Sequence, residues 1–333
     1  LGDNFLHEEP YSTTLQQMGV EILYGPGYQA GIWDWLTKNK DEIDFAYLNR
    51  PHIAIKYIDF IKKNTNIKVI YYGHDLHFLR EYREYELTGD IQKKRESDYW
   101  KSIEFSLMEK AAVSYYPSYV EEEAIHAIHP EYKIRAITAY VYEKFLENID
   151  KDFEKREGLL FVGGFAHPSN ADAVLWFAKE IFPLIRQKLD VNFYVVGSKV
   201  TDEIKALEQP GSGIIVKGFV TEEELASLYS TSRIVVVPLR YGAGVKGKVV
   251  EAVYNGAAIV TTSIGSEGIP EADRVMKVAD GPEAFADEVV KMYQDPAECR
   301  RMCEETQKYI REYFSVEAAW KVIEEDFTPE KER

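Results

Sequence analysis

Pro238-Leu239-Arg240-Tyr241-Gly242-Ala243-Gly244-Val245-Lys246-Gly247-Lys248-Val249-Val250-Glu251-Ala252 is the stretch that decides how this chain is read. The apolar run Ile234-Val235-Val236-Val237 before it reads as a buried strand, and Lys248 to Tyr254 reads as a helix stopped by Asn255-Gly256. Three glycines, three cations and one carboxylate thus sit where a strand passes into a helix N-terminus. Unsatisfied N–H groups and the helix dipole favour an anion there, most often a phosphate. Glycines alone could serve only close packing. That does not account for Arg240, Lys246 and Lys248 gathered in a chain of net charge −16.

Two familiar phosphate signatures overlap the stretch. Gly242-x-Gly244-x-x-Gly247 fits G-x-G-x-x-G, but that pattern belongs in the first strand–helix turn of its domain, and this one follows the fourth strand of a second half. Gly242-x4-Gly247-Lys248 fits the opening of a P-loop, yet Val249 stands where a hydroxyl should hold Mg²⁺. Neither signature explains Glu251, which is placed either as a dipole partner or to accept hydrogen bonds from the two hydroxyls of a ribose.

Strand-like runs alternate with helical ones along the chain. The first half offers strands at 20–24, 45–48, 69–72, 112–116 and 134–137, with helices between them at 53–63 and 99–110. The second offers 159–162, 193–196, 214–216, 234–237, 258–261 and a weaker 275–278, then one or two amphipathic helices over 296–327 and a frayed terminus at 329–333. Such alternation predicts an α/β fold of βαβ units, two doubly wound parallel sheets with the ligand in the cleft between them. The charged, strandless segment 143–157 reads as the linker.

Composition narrows the function. The chain has 333 residues, enough for two domains, and its 45% hydrophobic and 29% charged content suits a globular protein. Forty basic against 56 acidic residues argue against a nucleic-acid partner. The two cysteines, Cys299 and Cys303, suggest neither a disulfide framework nor a metal site, and a reducing, cytoplasmic compartment fits them. No run is long and apolar enough to span a bilayer, and no signal peptide is visible.

Several segments together carry a family resemblance: Phe161-Val162-Gly163-Gly164-Phe165-Ala166-His167-Pro168-Ser169-Asn170-Ala171-Asp172, Gly218-Phe219-Val220, Pro238 to Ala252, and Thr261-Thr262-Ser263-Ile264-Gly265-Ser266-Glu267-Gly268-Ile269. In order and spacing they resemble the C-terminal half of retaining glycosyltransferases of the GT-B fold, glycosyltransferase family 4 (group 1), across 158–325. More loosely, Leu48-Asn49-Arg50-Pro51, Gly73-His74-Asp75-Leu76-His77-Phe78-Leu79-Arg80, and Trp100 with Glu104, Glu109, Ser118 and Glu121 are similar to its acceptor-side half.

The resemblance implies an acceptor-side Rossmann-like domain over 1–142 and a nucleotide-sugar-binding Rossmann-like domain over 158–310. A C-terminal helix over 311–333 would pack back on the first domain. The family's first strand and helix, with its Gly-rich loop, would lie before Leu1, which points to an upstream module. Arg240 and Lys246 would neutralise the donor diphosphate, and Glu251 would hold the ribose. Gly163 and Gly164 would let backbone approach the donor, while Gly218 would open the turn on which Phe219 and Val220 flank the base. His74, and after it His77, would contact the sugar or polarise the acceptor. The family's Glu-x7-Glu pattern has Ala243 in place of its first glutamate, so backbone N–H groups of Gly244 and Val245 would take over that contact.

These residues imply transfer of a sugar, with retention, from a nucleotide-sugar to a glycan or lipid-linked acceptor in surface polysaccharide or glycoconjugate synthesis. No cofactor and no metal are expected, although His74-Asp75-Leu76-His77 has the residue types of metal ligands. The aromatic and basic segment 78–95 reads as a polar helix face, an acceptor groove, or a peripheral contact with the inner face of the membrane. Two alternatives stay open: a nucleotide-sugar 2-epimerase, and a catalytically silent GT-B binding module.

Overall fold

Two all-parallel sheets carry the chain in a computed structural model that describes residues 2–327, so Leu1 and the expected frayed terminus 329–333 lie outside the described residues. Strands β1 (Phe45–Asn49), β2 (Lys68–Tyr72), β3 (Val113–Tyr116) and β4 (Ile134–Ala136) lie side by side in chain order. The second sheet holds β5 (Leu159–Val162), β6 (Phe193–Val196), β7 (Ile214–Gly218), β8 (Ile234–Val237), β9 (Ile259–Thr261) and β10 (Lys277–Val278). Its spatial order is β10-β9-β8-β5-β6-β7. Runs such as Ile234–Val237 and Val113–Tyr116 are buried throughout, as strands covered by helices on both faces must be.

Strand order in the second sheet explains where a ligand can go. The chain winds outward from β5 through β6 to β7, then returns to place β8 on the opposite side of β5. Loops leaving β5 and β8 therefore diverge and open a crevice at the carboxyl ends of the strands. Gly163-Gly164 leaves β5, and the stretch from Pro238 leaves β8.

One expected strand does not form. Residues 20–24 are irregular, with Val20 and Glu21 exposed and only Leu23 buried. A strand needs a ladder partner for its N–H and C=O groups, and among the described residues β1 is the sheet edge and pairs only with β2. The segment is fastened instead through a hydrogen bond from Gly25 N to Phe5 O of 2.8 Å. Residues 2–5 form a turn closed by Phe5 N donating to Gly2 O at 2.9 Å.

The C-terminal helices use both halves. Pro296–Tyr313 buries Cys299, Met302, Cys303, Tyr309 and Ile310 in the second core. Burial pushes both thiols up, Cys299 to about 12, which leaves them inert. Phe314 O then accepts from Tyr142 N at 2.8 Å, and helix Val316–Ile323 lies against the first sheet. Beyond that helix the buried Asp326 accepts from Tyr115 Oη at 2.7 Å and pairs with Lys133 and Arg135.

Candidate functional site

A cleft of about 660 Å³ opens at the switch point, between the carboxyl ends of both sheets. Its second-sheet wall depends on close backbone approach. A Cβ on Gly197 would stand 1.9 Å from the carbonyl oxygen of Gly163, so only glycine lets the loops after β5 and β6 meet. Gly163 N donates to Val196 O at 2.9 Å, and Asn170 Nδ2 donates to Gly164 O at 2.7 Å. These bonds hold Gly163 and Gly164 along the cleft wall.

The glycine turn after β8 faces them. Helix Gly247–Tyr254 starts there, with Lys246 as its N-cap and the turn wall formed by Gly242, Ala243, Gly244 and Val245. The free N–H groups of a first helical turn favour an anion. Lys246 Nζ donates to Gly244 O and lies 3.6 Å from Glu267. Lys248 Nζ donates to Asn170 Oδ1 and sits 5.2 Å from the centre of the Phe161 ring. Burial, and then the charge of Lys246, push the Lys248 ammonium down to about 7. Burial lowers Lys246 as well, opposed by Glu267 and Glu121.

Arg240 sits elsewhere. Expected on the diphosphate, its guanidinium instead binds both carboxylate oxygens of Asp172, with Nε to Oδ2 at 2.9 Å, and lies 5.6 Å from the Trp176 ring. It is not a lining residue, whereas its neighbour Leu239 is. Just beyond β8, Leu239 lines the cleft, whereas Arg240, one residue on, reaches Asp172 of the helix Pro168–Trp176. The cations that face the cleft from the second half are Lys246 and Lys248.

Glu251 follows Lys248 by one helical turn on the same face and lines the cleft, its carboxyl pushed up by burial. Gly218 ends β7 at φ 68° and accepts from Gly197 N at 2.8 Å. It is not itself a wall of the cleft; it turns the chain so that Phe219, 81% exposed, and Val220 are.

The first half contributes Arg50, His74, Asp75, Arg80 and Tyr140. Arg50 and His74 follow adjacent strands and both have positive φ, 66° and 70°, a costly conformation for residues with a Cβ. His74 Nε2 lies 3.2 Å from Asn49 Oδ1, and burial followed by the charge of Arg50 pushes its pKa down. Asp75 pairs with Arg80 at 2.5 Å. The described lining thus has four cations, Arg50, Arg80, Lys246 and Lys248, against two carboxylates, Asp75 and Glu251. In so acidic a chain, that balance marks an anion site.

His77 is placed apart from the cleft. It is buried, stacked at a tilt on Trp100, with Nδ1 at 3.2 Å from Asp75 Oδ1 and 3.4 Å from Glu104 Oε1. Burial opposes its charged form, but Glu104 and Asp75 outweigh that and hold its pKa above the usual value. Glu104, wholly buried, accepts from His77 N and Phe78 N at 2.9 and 3.1 Å and so satisfies the start of helix His77–Thr88. No three His, Cys, Asp or Glu side chains among the described residues form a group able to hold a metal ion. Ser118 bonds the buried Glu121 and caps helix Tyr119–His126, while Glu109 is exposed.

Arg50, Arg80, Tyr140, Asn170 and Gly197, to which the sequence assigns no role, also line the wall, as do Asp75 and Lys248, which it names only as a metal-ligand type and as one cation of the glycine stretch. Only Lys248 and Gly197 carried a usable signal, a cation in a helix first turn and a glycine ending an apolar strand.

Residues 156–295 match the family model described as glycosyl transferases group 1. Over 116 residues the chain is 32% identical to an uncharacterized 44.6 kDa protein in the cps region of Klebsiella pneumoniae, an alignment covering 33% of this chain and 30% of that protein. The aligned part thus spans about a third of that relative. In fold the chain resembles sucrose-phosphate synthase from Thermosynechococcus elongatus, with a TM-score of 0.69, 16% identity, and coverage of 92% of this chain and 80% of that one. It also resembles Anabaena Alr3699/HepE, solved in complex with UDP-glucose, with a TM-score of 0.65, 14% identity, and coverage of 96% and 89%. The fold is GT-B, and the match to the group 1 glycosyl transferase model lies within its second half.

Proposed function

We propose that this protein transfers a sugar, with retention, from a nucleoside-diphosphate sugar to a glycan or lipid-linked acceptor. The observation that carries the reading is the convergence of Lys246, Lys248 and a helix N-terminus on one side of the cleft, with Glu251 one turn further on. When the bond from the sugar C1 to the β-phosphate oxygen breaks, the electron pair stays on the diphosphate. Fixed ammonium groups and N–H dipoles in a partly dry cleft stabilise that charge as it develops. They can do so without a bound metal ion, and the chain is proposed to be metal-independent.

Glu251 would accept hydrogen bonds from the ribose hydroxyls. Phe219 and Val220 would flank the base, and a UDP-sugar donor is suggested by the UDP-glucose bound to the Anabaena protein of similar fold. Arg50, His74 and Asp75 line the cleft from the first half and would face the donor sugar. With its Nε2–H toward Asn49, the neutral His74 ring would keep Nδ1 as an acceptor for a sugar hydroxyl.

The relative from a cps region supports a place in surface polysaccharide synthesis, for which we propose the cytoplasmic side. No helix among the described residues is long and apolar enough to cross a membrane. Tyr82, Leu87, Ile91 and Tyr99 are exposed on the helical pair His77–Thr88 and Ile91–Lys110, and would contact a membrane surface or a lipid-linked acceptor.

Calorimetry with UDP, GDP, dTDP and ADP, followed by turnover of the matching labelled nucleotide-sugars with and without acceptor, tests the proposal. Binding of one diphosphate with acceptor-dependent release of that nucleotide is expected. Absence of binding by all of them would sink the proposal, and epimerised donor without acceptor would replace it with the epimerase reading.

A further inference from the structure

Arg83 lies outside the cleft lining, yet it reaches from the first half onto the glycine turn of the second. Its Nη1 donates to Gly242 O at 2.8 Å and to Glu267 Oε2 at 2.7 Å. The same Oε2 lies 3.6 Å from Lys246 Nζ. One carboxylate oxygen is therefore shared between a bridging arginine and a lysine of the donor site.

The surroundings make this sharing consequential. Glu267 and Lys246 are each about one-tenth exposed, so their attraction is little screened by water. The backbone is locked around them. A Cβ on Gly268 would stand 2.5 Å from Ser118 Oγ, and one on Gly244 would stand 3.3 Å from Asp75 Cβ. The backbone beside both residues is thus held close to the first half, and Arg83 is the cation within hydrogen-bonding distance of Glu267.

We infer that Arg83 is a positioning residue that occupies Glu267 and so frees Lys246 for the donor diphosphate. Without Arg83, Glu267 captures Lys246 in a buried ion pair, and the diphosphate must break that pair to bind. With Arg83 in place, binding of the diphosphate draws Lys246 away and leaves Glu267 wholly to Arg83, which ties closure of the two halves to loading of the donor. The inference rests on the proposal that the cleft holds a nucleoside diphosphate.

The test is a double-mutant cycle on the full chain, with affinity for the tightest-binding of UDP, GDP, dTDP and ADP measured by calorimetry and folding checked by thermal unfolding. Arg83→Ala weakens binding about tenfold, because Lys246 is sequestered. Glu267→Gln alone leaves affinity equal or slightly tighter. The double variant returns to within about threefold of Glu267→Gln, a rescue that a merely structural role for Arg83 would not give. Arg83→Gln, which keeps a donor for Gly242 O but no charge, behaves as Arg83→Ala and stands in for it if the alanine variant is unstable. Unchanged affinity in both single Arg83 variants overturns the inference, as does a double variant as weak as Arg83→Ala. A wild-type protein that binds none of the four diphosphates overturns the proposed function and this inference together.

Discussion

Lys248 Nζ donates to Asn170 Oδ1, and no carboxylate among the described residues pairs with it. A neutral amide offsets little of the cost of burying an ammonium, which is why its pKa falls to about 7. Such a lysine is strained in the free protein and relieved by an anion. Lys248→Met should therefore raise thermal stability, on the order of 2 kcal/mol near neutral pH. The same change should weaken nucleoside diphosphate binding by about a hundredfold. Thermal unfolding and calorimetry on one preparation check both signs.

The same residue sets a pH dependence. In the free protein Lys248 loses its proton as pH rises through about 7, whereas a bound diphosphate would hold the proton on. Binding above neutrality thus takes up a proton. Affinity should fall with rising pH from about 7, by up to about tenfold per pH unit. Calorimetry in buffers of different ionisation enthalpy should count that proton, and Lys248→Met should abolish the uptake.

Arg240 marks the boundary of what the sequence could say. The glycines, the helix start and the gathering of cations were all legible, because strand, turn and helix each leave a local pattern. Which side of the β8 exit each cation faces was not, because one residue of register separates Leu239 in the cleft from Arg240 on Asp172. Similarly, the sequence ranks His74 ahead of His77 but gives both the same role, whereas the fold puts His74 in the cleft and His77 beside Trp100. The unpaired segment 20–24 was misread because alternation shows that a strand could form, not that a partner is present. Arg240→Ala should accordingly change nucleoside diphosphate affinity by less than about threefold, and Asp172→Ala likewise, since the pair is partly exposed and outside the cleft.

Arg50 pays for its position in backbone strain. With φ 66° and ψ 138° it occupies a region suited to glycine, immediately before the Pro51 that starts helix Pro51–Asn64. Arg50→Gly should stabilise the fold by about 1 kcal/mol, read as a rise in the unfolding midpoint, because the strain is released. It should also lower transfer to acceptor while leaving diphosphate affinity within about twofold, since Arg50 lies on the wall across from Lys246 and Lys248. A fall in stability would show that the side chain is held by packing rather than by function.

Glu251 and Lys248 share a helix face, and their proposed partners are different parts of one ligand. That difference can be separated with truncated ligands. Glu251→Ala should weaken nucleoside diphosphate binding by about ten- to a hundredfold, the range for losing charged hydrogen bonds to two hydroxyls. It should leave the affinity for inorganic pyrophosphate nearly unchanged, because removing a carboxylate takes nothing from the phosphate contacts. Lys248→Met should weaken both ligands alike. The wild-type protein should also discriminate against a 2′-deoxyribose diphosphate, and Glu251→Ala should lose that preference. Equal losses for both ligands in Glu251→Ala would mean that Glu251 supports the helix start rather than holding the ribose.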